Sequence, residues 1–152
     1  MNLQSFLDEM GISYRISHHT TAYTAQDLAS AEHVPGRQVI KPVVVRADGR
    51  FVMCALPASH RVDLAALRDQ LQAQSVSLAD EGKLSELFPD CELGAEPPIG
   101  KLYGMPTLMD ESLVADARVT FQAGTHSDAV TMSLVDYRRV AQPEMGYFGK
   151  HL

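Results

Sequence analysis

Leu3, Phe6, Leu7 and Met10 follow i, i+3, i+4, i+7 spacing and form one apolar stripe of a helix, with Gly11 placed to end it. From Ser13 to Ser17 the pattern alternates, with Tyr14 and Ile16 on one face, and predicts a short strand. Thr24, followed three residues later by Asp27, has the spacing of a capping box with Asp in place of Glu or Gln. The helix it starts runs to His33 and stops at Val34-Pro35-Gly36. Gln38 to Ala47, rich in Val and Ile, gives the strongest strand signal, and Asp48-Gly49 is a dipeptide suited to a tight hairpin. Phe51 to Leu56 is the returning strand.

Asp63 can cap a helix carrying Leu64, Leu67 and Leu71, and a second helix is expected over Glu81–Phe88, stopped by Pro89. Residues 91–106 hold Gly94, Pro97, Pro98, Gly100, Gly104 and Pro106 and read as a loop with committed turns. Short strands are expected at Thr107–Met109, Arg118–Gln122 and Ala129–Ser133, then a helix over Leu134–Ala141 and a loosely packed tail. Helices interspersed with hairpin-like strands predict an α+β class with a curled mixed or antiparallel sheet.

At 152 residues the chain has the length of a single domain, 1–152. The longest apolar run, Phe51–Ala58, is too short to cross a bilayer, and the N-terminus has no secretory pattern, so a cytoplasmic protein is expected. Cys54 and Cys91 form no CxxC pair and are expected to be reduced, structural thiols. The net charge of −6 argues against a broadly basic nucleic-acid binder. The charge is uneven: six bases and five acids in residues 1–61, three and eleven in 62–116, four and three in 117–152. An anionic partner would therefore avoid the middle segment and approach near Arg37, Lys41, Arg46 and Arg50, or near Arg138 and Arg139.

Three places carry candidate chemistry. Lys41 shares a strand face with Val39, Val43 and Val45, so it either snorkels from the core edge or points into a cavity. In a cavity its ammonium could bind an anion, polarise a carbonyl or serve as a base. Pro42 beside it removes a ladder donor, which places this strand at an edge or at a bulge. The second is Gly94-Ala95-Glu96-Pro97-Pro98: its amides could receive an oxyanion, or it is a rigid surface turn. The third is Gly124-Thr125-His126, where His126 could donate to a substrate oxygen or be a satisfied turn histidine. His18, His19, His33, His60 and His151 lack ligand spacing, so no metal and no cofactor is expected. There is no GxSxG, P-loop or GxGxxG.

The order of these motifs is similar to that of the YbaK/prolyl-tRNA synthetase-associated domain family: a lysine in a Val-rich strand, a Gly-Ala-x-Pro-Pro loop, and a strand ending in Ala-Gly-Thr-His. Thr24-Ala-Gln-Asp27, Val34-Pro35-Gly36, Leu56-Pro57-Ala58, Arg61-Val62-Asp63-Leu64 and Asp110-Glu111-Ser112-Leu113 extend the resemblance over nearly the whole chain. It implies a mixed α/β domain with a barrel-like sheet of about six or seven strands flanked by helices. It also implies metal-independent hydrolysis of the ester of a mischarged aminoacyl-tRNA carrying a small amino acid. The family's essential lysine falls on Lys41. Its substrate loops fall on Gly94, Ala95, Pro97 and Pro98, and on Gly124, Thr125 and His126. Two positions depart from the pattern, Pro42 after the lysine and Ala123 before the late glycine. The implied partner is the acceptor end of a charged tRNA, with a synthetase or elongation factor as an open, transient third party; no DNA, no membrane and a monomer are expected. The same pocket could instead bind an aminoacyl-adenosine end or a small metabolite without turnover.

Overall fold

Side-chain caps set the helices where their sequences favour them. Asn2 accepts from the Ser5 amide and starts α1 (Leu3–Glu9); Thr24 accepts from Asp27 and starts α2 (Ala25–Glu32). Asp63 takes the Ala65 and Ala66 amides at α3 (Leu64–Leu71), Asp80 caps α4 (Glu81–Leu87), and Ser133 caps α5 (Leu134–Ala141). The computed structural model describes residues 2–115 and 117–152.

Ten strands are formed among the described residues: β1 (Arg15–His18), β2 (Ile40–Ala47), β3 (Arg50–Pro57), β4 (His60–Val62), β5 (Val76–Leu78), β6 (Thr107–Asp110), β7 (Arg118–Gln122), β8 (Asp128–Ser133), β9 (Glu144–Gly146) and β10 (Gly149–His151). They make a five-stranded mixed sheet in the order β5-β2-β3-β6-β9, a three-stranded antiparallel sheet β1-β8-β7, and a two-stranded pair β10-β4. The β2–β3 hairpin turns at Asp48-Gly49, both at positive φ as the turn requires. Its register runs without a bulge from Ile40↔Pro57 to Ala47↔Arg50.

The α+β class holds, but the barrel-like sheet does not. The strands form open sheets, and between the two larger ones a single parallel bridge, Val39↔Thr120, is made. The edges of the five-stranded sheet are the three-residue strands β5 and β9, which do not pair with each other. Of the two expectations for Pro42, the edge is the one met: β5 pairs with β2 only from Val45 to Ala47.

β3 is buried on both faces, which is why its sequence reads as an unbroken apolar run. Val52, Cys54 and Leu56 pack with Val45, Leu67 and Phe148, and Met53 packs with Val44, Phe88 and Met105. A third core joins the three-stranded sheet to α1 and α5 through Leu7, Phe121, Val130 and Tyr137.

The tail is a second correction. It is not loose: Phe148 is 1% exposed and β10 pairs with β4. The cause is Asp110, itself 2% exposed. Its Oδ1 accepts from the amides of Phe148 (2.9 Å) and Gly149 (2.6 Å), while Oδ2 takes the amide and hydroxyl of Ser112.

Candidate active site

Residue 41 lies on β2 opposite Leu56 and so on the face of Val43, Cys54 and Val45. Lys41 is also among the residues that line a cavity of about 250 Å³, together with Thr24, Leu28, Pro42, Gly94 and Gln122. Lys41 is half-buried, and burial lowers its pKa below the ordinary lysine value. It makes no hydrogen bond or ion pair with any described residue. An ammonium in a part-dry cavity without a partner is available to an incoming acceptor or anion. Its charge is also felt at His60, whose pKa is lowered by burial first and then by His151 and Lys41, against the opposing pull of Asp110.

The Gly94 loop and the Gly124 turn are stitched to each other. Gly124 donates to the Ala95 carbonyl at 2.9 Å, and the Glu92 amide donates back to the Gly124 carbonyl at 2.8 Å. The His126 amide donates to the Glu92 carboxylate at 2.9 Å. Gly94 and Gly124 both need positive φ, 88° and 96°. A Cβ on Gly94 would lie 3.6 Å from the His126 ring. The loop's far end is fixed by Tyr137, whose buried hydroxyl donates to the Pro98 carbonyl at 2.6 Å.

The expected site residues are therefore brought close but do not share one cavity. Lys41 and Gly94 line the same one. Pro97 and Gly124 line a separate cavity of about 440 Å³ with Cys91, Tyr103 and Ala123, and among the described residues no lysine or arginine lines it. The larger space thus lacks the cation that makes the smaller one chemically interesting. Ala95 and Pro98 are buried and spend backbone groups on the neighbouring turn and on Tyr137. The Thr125 hydroxyl donates to Asp128 at 2.6 Å.

The His126 ring is 8% exposed, with Nε2 2.8 Å from the Leu93 carbonyl and Nδ1 3.2 Å from the Ala22 carbonyl. A neutral imidazole donates only one of these contacts, and the shorter one, to Leu93, ties the Gly94 loop to the turn. The Gly94 amide donates to Glu96 Oε1 at 3.1 Å and the Ala95 amide to the Glu92 carbonyl at 3.0 Å. Both amides of the expected oxyanion receptor are thus engaged within the loop.

Two residues at this place escaped the sequence reading. Gln122, at the end of β7, is 5% exposed; its Nε2 donates to the Ala22 carbonyl at 2.7 Å and its Oε1 is buried without a partner among the described residues. Thr120 and Gln122 make a polar stripe that reads as a solvent face, yet α2 and β2 cover it. Tyr23 is 71% exposed, immediately before the cavity residue Thr24, with its ring 5.0 Å from that of His126.

The profile of the aminoacyl-tRNA editing domain matches residues 19–140. A curated relative from Escherichia coli K12, the multifunctional Ser/Thr-tRNA deacylase ProXp-y, is 26% identical over 96% of this chain and 90% of its own length. The proline–tRNA ligase of Leuconostoc citreum KM20 is 27% identical over 78% of this chain, which spans 20% of that enzyme. A solved structure named as a candidate trans-editing enzyme for prolyl tRNA synthetase has the same fold: TM-score 0.87, 18% identity, and 97% and 94% of the two chains covered.

Proposed function

The chain belongs to the aminoacyl-tRNA editing domain family, and from that premise we propose that it acts in trans as a deacylase of mischarged tRNA. Its substrate is the ester between a small amino acid and the terminal ribose, and its products are the free amino acid and the uncharged tRNA. One observation carries this reading: Lys41, cationic, half-buried and without a partner, lines a cavity of about 250 Å³. That volume suits a short side chain and the ester beside it.

An aminoacyl ester is already activated, so modest assistance suffices. Water attacks the ester carbon, negative charge develops on the former carbonyl oxygen, and the Lys41 ammonium stabilises it. The C–O bond to the ribose then breaks, and the ribose oxygen takes up the proton that the attacking water gives up. With the Gly94 and Ala95 amides engaged in the loop, Lys41 is the donor left for that charge. No metal enters this reaction. Tyr23, next in sequence to the cavity residue Thr24, offers the terminal base an exposed ring, a sequence-tolerant way to hold a single-stranded end.

The test is deacylation of tRNAs charged with alanine, cysteine, serine, threonine and proline, with and without EDTA, by the protein and by Lys41→Ala. Hydrolysis of one small amino acid, indifferent to EDTA and lost in the folded variant, is the expected result. A variant as fast as the parent refutes the role of Lys41. A second reading, binding of an aminoacyl-adenosine end without turnover, is favoured by the occupied Gly94 amide. It is the outcome if stable aminoacyl-adenosine amides bind while every charged tRNA survives.

A further inference from the structure

The two-stranded ribbon of β4 and β10 covers the sheet face on which Lys41 stands. Lys41, Val43 and Val45 share one face of β2, and Val43, Val45 and Leu56 pack with Val62 of β4 and with Phe148, just before β10. His60 has the parity of Val62 and so shares its side of the ribbon, and His151 lies directly opposite His60. The two rings meet edge to face with centroids 5.0 Å apart. Arg61 and Lys150, the pair between, take the other side, and neither strand carries an acid.

The nitrogens of this pair are only half used. His60 Nδ1 is 2.9 Å from the Ser59 hydroxyl, and His151 Nδ1 is 3.1 Å from the Leu152 carbonyl. Both Nε2 atoms lack a partner among the described residues, as does the Lys41 ammonium. A carbonyl only accepts, so His151 carries its hydrogen on Nδ1, and its Nε2 becomes a donor only when the ring is protonated. Burial, then His151 and Lys41 against the pull of Asp110, hold the His60 pKa below its ordinary value. The acids nearby are committed elsewhere. Asp110 of β6 accepts from Phe148, Gly149 and Ser112, and Asp63, which caps α3, lies 3.8 Å from Lys150. A cationic corner whose own acids are spent, and whose donors appear on protonation, suits an incoming anion.

We propose that His60 and His151 seat a phosphodiester of the single-stranded acceptor end, and that the seat forms by taking up a proton. This rests on the editing-site reading above, because the strand that brings its ester to Lys41 carries its backbone past this ribbon. The anion supplies the charge that lets two facing imidazoles hold a proton despite Lys41 beside them.

The experiment follows binding of an uncharged acceptor minihelix by fluorescence anisotropy at fixed ionic strength, with hydrolysis of charged tRNAs measured in parallel. The parent should bind up to about tenfold more tightly per pH unit as pH falls through the histidine range, the slope of one proton taken up. His60→Gln and His151→Gln should each flatten that slope. His151 is exposed, so if His60→Gln fails to fold, His151→Gln decides. A minihelix whose overhang carries neutral methylphosphonates in place of phosphodiesters should bind the parent without the slope. A slope that survives in either folded variant, or with the neutral overhang, overturns the proposal, as does flat binding by the parent between about pH 8 and about pH 5.5. A histidine-dependent slope with no charged tRNA hydrolysed leaves the seat standing and removes the catalytic reading. Hydrolysis with a flat binding profile does the reverse.

Discussion

Replacing Asp110 by Ala should unfasten the C-terminal tail. The carboxylate is 2% exposed and accepts from the Phe148 and Gly149 amides at 2.9 and 2.6 Å. A hydrogen bond to a charged acceptor contributes about 1.5–3 kcal/mol, so the two together bring about 3–6 kcal/mol. Water entering the vacated space recovers part of this, and the lower end, about 3 kcal/mol, is the expected loss. That is a large share of a domain stability of about 5–15 kcal/mol. At roughly 2–4 °C per kcal/mol for a chain of this size, Tm should fall by about 6–12 °C. Asp110→Asn keeps an oxygen facing both tail amides but turns an NH2 toward the Ser112 amide that Oδ2 had accepted, so it should lose less than Asp110→Ala while still falling below the parent. Urea and thermal unfolding followed by circular dichroism measure both variants. An Asp110→Ala within about 0.5 kcal/mol of the parent, the range of an ordinary surface change, would refute the clamp.

Lys41→Met should raise stability near neutral pH while removing hydrolysis. The lysine pKa is lowered in the fold by burial, so between that value and the ordinary 10.5 the unfolded chain binds more protons. The parent therefore gains stability as pH rises toward 10.5, and the advantage of Lys41→Met should shrink over that range in urea titrations; a constant difference would contradict it. Tyr23→Ala should raise KM for charged tRNA by about 5- to 150-fold, the worth of one stacked base, with kcat little changed. A minimal aminoacyl ester without the base should be cleaved equally by both. Burial pushes the Cys54 thiol up to about 12 and the Cys91 thiol up to about 11, so at pH 8 iodoacetamide should modify the native protein far more slowly than free cysteine. In urea both should react fully, and fast native labelling of Cys91 would show that its thiol is exposed.

What was legible in the sequence is what short-range chemistry fixes. Thr24 and Asp63 cap the helices that they were expected to start, and Asp48-Gly49 turns the hairpin that brings Lys41 opposite Leu56. The strands β4, β5, β9 and β10 were not legible, because three residues carry no periodicity and their pairing comes from contacts distant in sequence. The tail's order depends on a carboxylate 38 residues before Phe148. At the site, Lys41 was conspicuous as a charge among valines, and the structure places it in a cavity with Gly94. Gln122 was not, because a polar residue in an alternating strand looks the same whether it faces water or a dry wall.

Pro42 shows how the cavity arises. The Val39 carbonyl accepts from Ala58 on the β3 side, and the Val44 carbonyl accepts from Ala79 on the opposite side. Backbone groups on a strand alternate in direction, so Pro42, of the same parity as Val44, turns its donor-less nitrogen away from β3. The ladder to β3 loses nothing. On the other edge β2 is bridged to Thr120 at Val39 and joined by β5 from Val45, and among the described residues no strand lies beside the stretch between. Proline cannot donate to a strand that would fill the gap. The opening is covered instead by α2, the Gly94 loop and the end of β7, and Lys41 and Gln122 line the cavity left between them. Pro42 thus keeps open the edge on which the candidate chemistry depends.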